Sequence, residues 1–202
     1  MKRLLTFVLL TVAAVAQTLA PAVREYVKID SPVVALTHVR IIDGTGAAAQ
    51  EDQTVVLANG RIQSIGGPIP TDAKVLDLTG HTVLPGLVMV HEHLFYPAGG
   101  VVFHEMAYSF PRLYLATGVT TIRTGGSIEP YTDLEIKKLI DAGQAVGPKM
   151  HVTGPYLEGK GSFTPQMHAI SDPEDARLTV NFWADQGVTS FKAYMFITRA
   201  EL

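Results

Sequence analysis

Apolar and polar positions along the chain keep two different rhythms, and the change between them falls at residues 84–87. Over 33–84 the apolar side chains recur in short β-branched runs. Val33, Val34, Leu36, Val39, Ile41 and Ile42 predict a long strand over 33–43, and Asp43-Gly44-Thr45-Gly46 ends it as a turn. The runs 53–58 and 61–65 flank Asn59-Gly60. This is the preferred pair for a type I′ turn, because both central residues need positive φ, so the segment predicts a hairpin. Gly66-Gly67-Pro68 closes it, and 74–78 and 81–84 read as two further short strands around Thr79-Gly80. An all-β unit of this length buries little surface alone and is expected to pack on a later part of the chain.

After Leu84 the rhythm becomes strand, helix, strand, helix. Pro85-Gly86 leads into the apolar run Leu87-Val88-Met89-Val90, which ends at His91-Glu92-His93. Residues 105–117 are weakly helical, with Pro111 as a start or kink, and Gly118 stops them before a β-branched strand over 119–123. Thr132 with Glu135 forms a capping-box pattern that predicts a helix to about residue 142, before Gly143. A strand over 149–153 is followed by a Gly-rich loop over 154–161. Asp172 as N-cap and Pro173 at the first helical position predict a helix to residue 186. Gly187 then ends it ahead of a fourth strand over 188–192. Four strands alternating with helices at this spacing predict βα units and a parallel sheet, an α/β architecture.

Composition narrows the partners. Hydrophobic residues are 47% of the 202 and the formal net charge is −3, so a core can form and no basic surface for nucleic acid is in view. With no cysteine, disulfides and thiolate-held metals are excluded; a metal would need imidazole, carboxylate or a modified side chain. The N-terminus reads as a secretory signal over residues 1–16: Lys2 and Arg3, an apolar run over 4–15, and the small-x-small site Ala14-Val15-Ala16, with cleavage after Ala20 as the alternative. The competing reading is a membrane anchor, but the apolar run is shorter than the roughly 20 residues a spanning helix needs. The expected mature protein is exported, periplasmic or secreted, without a stable membrane span.

The candidate chemistry lies at strand ends. Residues i and i+2 of a strand share a face, so His91 and His93 project together, and two neutral imidazoles form half of a metal site. The plainer alternative is two surface or loop histidines. In a parallel barrel, function gathers at the carboxyl ends of the strands. There Arg123 and Thr124 end the second strand, Tyr156 and Glu158 lie in the loop after the third, and Lys192 ends the fourth. By chemistry alone Lys192 fits a carboxylate-paired lysine better than a ligand, because an ammonium has no lone pair; it ligates only when neutralised or converted to a carbamate. His151 reads as a satisfied strand histidine, His168 as a loop histidine near the mouth, and His104 lies off the strand ends.

The runs Val39-Arg40-Ile41-Ile42-Asp43-Gly44, Asn59-Gly60-Arg61-Ile62, Leu84-Pro85-Gly86-Leu87 and His91-Glu92-His93 together resemble the amidohydrolase superfamily of metal-dependent hydrolases. Gly118-Val119-Thr120-Thr121-Ile122-Arg123 resembles its second barrel strand. The stretch Gly187-Val188-Thr189-Ser190-Phe191-Lys192-Ala193-Tyr194-Met195 resembles the fourth strand of its hydantoinase and dihydroorotase branch. The first strand is similar to imidazolonepropionase and prolidase-like members. The resemblance implies a (β/α)8 TIM barrel of which 85–202 supply about the first four βα units, preceded over 33–84 by part of a small β-sandwich domain. It implies hydrolysis of C–N bonds in a small-molecule amide, non-peptide or peptide-like, through a metal-activated hydroxide. His91, His93 and a carbamate on Lys192 would hold one or two divalent ions, zinc first among them. Arg123, Tyr156, Glu158 and His168 are the candidate substrate contacts, and a homo-oligomer is compatible.

Two departures touch the ligands' surroundings: Met89 stands where the family usually has an aspartate, and Thr124 where an aspartate commonly follows the arginine. The family's strand-five and strand-six histidines and its general-base aspartate at strand eight have no counterpart up to Leu202. The expectation is therefore an N-terminal portion of a longer enzyme, since a complete barrel takes roughly 250 residues. The alternative is a catalytically inactive remnant acting as a binding or assembly module.

Overall fold

A four-residue helix, α1 (Pro21–Arg24), leads to β1 (Val33–Ile41), β2 (Gln50–Ala58), β3 (Arg61–Ile65), β4 (Lys74–Asp77) and β5 (Thr82–Val83). These five strands make one sheet in the order β3-β2-β1-β4, with β5 beside the far end of β1. β2 runs antiparallel to β1 and β3; β4 and β5 run parallel to β1. The Asn59-Gly60 hairpin forms as its residues predict, with φ of 51° and 72°. Val39, Ile41 and Val55 are buried on one face, joined by Leu36, Leu57, Leu78 and Val83. The computed structural model describes residues 18–202, so the signal-peptide reading of 1–16 lies outside the described residues. Among those described, no helix is long and apolar enough to cross a membrane.

The second half runs in chain order: β6 (Leu87–Glu92), β7 (Phe95–Gly99), β8 (Val102–Glu105), α2 (Ser109–Ala116), β9 (Val119–Thr124), α3 (Pro130–Asp141), β10 (Lys149–His151), β11 (Thr153–Leu157), α4 (Pro173–Asp185) and β12 (Ser190–Ala193). β6, β9 and β10 pair in parallel, and β11, which continues the line of β10, pairs in parallel with β12. The four predicted parallel strands are thus laid down in sequence order. One face is covered by helices: Ile122 and Met150 from the strands, and Val152 between β10 and β11, are buried with Ile136 of α3 and Leu94, and Phe110, Tyr114 and Trp183 pack against them. On the opposite face Val88 and Val90 are 63% and 66% exposed.

Four expectations change. The predicted loop over 154–161 begins as strand, so Tyr156 lies on β11. Gly154 signals close approach rather than a turn, since a Cβ there would come within 2.6 Å of the Phe191 ring. The β7–β8 hairpin is not predicted by its apolar pattern, although Gly99-Gly100 at its tip, with φ of 117° and 60°, carries the turn. The weakly helical segment shortens to α2, with Pro111 buried inside its first turn. The Thr132–Glu135 capping box does not form. α3 starts three residues earlier because Pro130 presets the first helical φ, and Glu129 is an N-cap without a side-chain cap bond. At α4 the expected cap is present: Asp172 Oδ1 accepts the Asp175 N–H at 2.9 Å.

Two carboxyl groups are buried where α3 meets the end of β8. Asp133 is 2% exposed, and burial pushes its pKa up to about 7, with the Ser127 hydroxyl pulling the other way. Burial pushes Glu105 up to about 8, and the charges of Asp133 and Glu129 add to the rise. Raised acid pKa values mean that the folded state keeps protons the unfolded chain has lost. Stability is therefore expected to be fully present near pH 4 and to fall as pH climbs to about 8, by on the order of 1.4 kcal/mol per pH unit while one extra proton is held. Asp133→Asn keeps the shape and removes that titration. Urea unfolding at a series of pH values is expected to give a flatter profile and a higher midpoint than the parent at about pH 8.

Candidate functional site

The site is set by an irregularity in β6. Met89 pairs with Ile122 and Glu92 with Thr124, so three steps on β6 match two on β9. Met89 and Leu94 pack on the helix side, and Glu92 lies near the Tyr114 hydroxyl of α2. Val88 and Val90 line the open side with Arg123 and Ser190. Strict alternation from Met89 would have sent His91 and His93 into the helices. The extra residue turns both to the open side, the re-aiming that bulges perform.

His91, on β6, and His93, one residue past its end, stand with ring centroids 5.2 Å apart. His93 Nδ1 lies 3.1 Å from the Gly126 carbonyl, and Tyr114 donates its hydroxyl to the His93 carbonyl at 2.8 Å. A ring that donates from Nδ1 leaves the Nε2 lone pair free. Burial lowers the His93 pKa; the Gly126 carbonyl opposes this, while Lys192 and His91 add to it, so the neutral form is favoured. Lys192 of β12 reaches His91 Nε2 at 3.4 Å, which makes that nitrogen the acceptor. Its Nζ also lies 5.0 Å and 5.1 Å from the ring centres of Tyr156 and Tyr194, in place of the carboxylate partner expected from chemistry alone. Burial lowers the Lys192 pKa, with the Arg123 guanidinium acting in the same direction.

Two features beneath this group go beyond the sequence-predicted residues. Gly125 and Gly126 form its shelf. A Cβ on Gly125 would come within 2.1 Å of the His91 ring, and one on Gly126, at φ 101°, would come within 2.9 Å of Tyr156. The Gly-Gly pair directly after the β9 strand pattern is the signal in the sequence that could have found them. Below lies a polar belt across three strands. Thr153 takes the Thr124 hydroxyl as acceptor for its N–H at 2.9 Å, donates its own hydroxyl to the Thr124 carbonyl, and meets Ser190 Oγ at 2.7 Å. Arg123 Nε donates to Ser190 Oγ at 3.2 Å and its Nη1 to the Val90 carbonyl at 3.3 Å.

The other candidates are placed differently. Tyr156 is 5% exposed and its ring is 6.2 Å from His93, so it joins the group. Glu158 is fully buried, and its Oε1 accepts from the Gly159 and Phe196 amides at 3.0 and 2.7 Å, which ties its carboxylate to the backbone. His168 is exposed and bonds Asp175 at 3.0 and 3.1 Å, so it is not drawn into the group. His104 and His151 are exposed, on β8 and at the end of β10.

Among the described residues no set of three His, Cys, Asp or Glu side chains is placed to hold a metal ion. The donor set here is two imidazoles and an amine. His93 fits a divalent cation as it stands, with its Nε2 lone pair available; His91 Nε2 fits once Lys192 no longer donates to it, and the amine fits only as a carbamate.

No family model matches the chain. It is similar to a dihydroorotase of Lactobacillus leichmannii, 34% identical over 89 residues, which are 44% of this chain and 20% of that protein. Among solved structures it is similar to a protein of Bifidobacterium longum assigned as a prolidase, with TM-score 0.66 and 31% identity over 82% of this chain and 41% of the other. A bottromycin amidohydrolase shares the fold, with TM-score 0.66 and 21% identity over 89% of this chain and 37% of that one. The first two similarities are to proteins of the amidohydrolase superfamily, and the third is a likeness of fold alone. The relatives carry the names of hydrolases of carbon–nitrogen bonds, and the chain spans about a fifth of the first and about two fifths of the second.

The shelf gives a direct test. Gly125→Ala is expected to displace the His91 ring and to lower zinc affinity by at least about tenfold, with an unchanged circular dichroism spectrum. Competition against a chromophoric chelator measures it; undiminished affinity would show that His91 can leave its present position at no cost to zinc binding.

Proposed function

We propose that this chain belongs to a metal-dependent hydrolase of carbon–nitrogen bonds in small amides, and that His91, His93 and an N-carboxylated Lys192 hold its divalent metal. The observation that carries the reading is the approach of Lys192 Nζ to His91 Nε2 across 101 residues of sequence, next to a His93 whose Nδ1 is already engaged by Gly126. Zinc suits imidazole with carboxylate-like oxygen, and the fourth-strand stretch around Lys192 resembles a branch in which the lysine bridges two metals. When bound, the metal supplies Lewis-acid polarisation of the amide carbonyl and a lowered pKa for attacking water.

The chain's own residues prepare that site. A lysine with a lowered pKa offers more neutral amine, and the amine nitrogen adds to the carbon of carbon dioxide, forming one N–C bond and releasing one proton to solvent. The carbamate then presents two oxygens on a long stem. Tyr114 and the Gly126 carbonyl fix the backbone and ring of His93, which preserves the lone pair that faces the site. Arg123 and the Thr124–Thr153–Ser190 belt hold the strands that carry these groups in register. Residues 85–202 are read as the first βα units of a (β/α)8 barrel, and 33–84 as part of the accompanying β-sandwich. Sequential parallel pairing supports the first, and the five-stranded sheet is compatible with the second. The N-terminal apolar run supports an exported location.

The full-length gene product, expressed with labelled bicarbonate, is the test. It is expected to contain zinc by elemental analysis and to show a carbamate carbon signal by NMR. Lys192→Ala removes the signal, and His91→Ala or His93→Ala brings metal content to background. A folded, metal-free parent protein, or a parent without the carbamate signal, contradicts the proposal.

A further inference from the structure

Six rings, His93 among them, form a closed circuit beside His91. His93 and Phe95 have centroids 4.6 Å apart, Phe95 and Phe103 5.3 Å, and Phe103 and Phe163 6.0 Å. Phe163 and Tyr194 come next at 6.2 Å, Tyr194 and Tyr156 at 4.8 Å, and Tyr156 returns to His93 at 6.2 Å. All spacings lie in the range at which aromatic pairs interact. The rings come from the end of β6, the β7–β8 hairpin, β11, the segment after it, and the residue following β12. Chain segments remote in sequence therefore converge on one wall.

The wall is braced. Gln166 accepts the Phe103 amide through Oε1 at 2.8 Å and donates through Nε2 to the Phe103 carbonyl at 3.2 Å, which fixes the hairpin to the segment after β11. Behind it Ile128 and Met167 are buried with Tyr156. The wall is not sealed: Phe163 is 41% exposed, and Phe95, Phe103 and Tyr194 are half-buried. Lys192 Nζ lies over the faces of Tyr156 and Tyr194, so the open rings continue directly from the candidate metal site. The nearby permanent cation, Arg123, is engaged by Ser190 and the Val90 carbonyl. A substituent lying here meets ring faces and edges.

We infer that this wall is the specificity-determining subsite of the enzyme, and that the amide it selects carries a flat, apolar, ring-sized group beside the scissile bond. The inference rests on the proposed hydrolase function for its amide, and on the ring circuit for its apolar group.

The test uses zinc-supplemented full-length protein and two matched probes, N-methylbenzamide and N-methylacetamide, titrated by ligand-observed NMR, with zinc content measured on the same samples. N-Methylbenzamide is expected to bind at least about tenfold more tightly. Phe163→Ala is expected to reduce that preference to less than about threefold without changing zinc content. Phe163→Leu, which keeps the bulk and removes the ring, is expected to fall between. Equal affinities in the parent protein, or a full preference surviving in both variants, overturns the inference. A preference for the benzamide in protein that takes up no zinc leaves the wall standing and removes the hydrolase reading; zinc uptake without the preference does the reverse.

Discussion

The site depends on the three-against-two pairing of β6 with β9. A strand has only two faces, and in β6 one is committed to the helices through Met89. Without the extra residue, His91 and His93 would point into that packed layer, where unpaired imidazoles are costly. With it, both reach the open side, and Leu94 returns to the core immediately after them, fully buried. The bulge thus lets one short strand end serve packing and chemistry together.

The surroundings of the bulge keep it in place. Gly125 N–H donates to the Glu92 carbonyl at 2.7 Å, and the missing Cβ of the same residue admits the His91 ring. The Tyr114 hydroxyl holds the next carbonyl from the helix side, and the Thr124–Thr153–Ser190 belt bonds three strands just beneath. Thr124, where the family commonly has an aspartate, is fully buried and knits the strands through its hydroxyl and carbonyl. Met89, the other departure, belongs to the helix-side packing. Both departures therefore have structural roles here.

Much of this is legible in the residues. β-Branched runs, Asn59-Gly60, Gly118 and Asp172-Pro173 mark strands, turn, stop and cap by local preference, and each acts where its chemistry predicts. The paired orientation of His91 and His93 comes from strand geometry, but which face they take does not, because a bulge depends on register with β9, about thirty residues away. Tyr156 reads as a loop residue in sequence because Gly154 looks the same whether it makes a turn or admits Phe191. The contact of Lys192 with His91, and the ring circuit through Phe103 and Phe163, are long-range and leave no periodic trace. His168 shows the converse: a histidine placed near the mouth by position is taken up locally by Asp175.

We propose that the two histidines and the lysine share one cation. Anomalous diffraction at the zinc edge, on crystals of the full-length protein, tests it most directly. The expected result is a peak in contact with Nε2 of both His91 and His93, and carbamate density extending from Lys192 Nζ. A peak bound elsewhere, or an unmodified Lys192 amine still resting on Tyr156 and Tyr194 in zinc-soaked crystals, would contradict it.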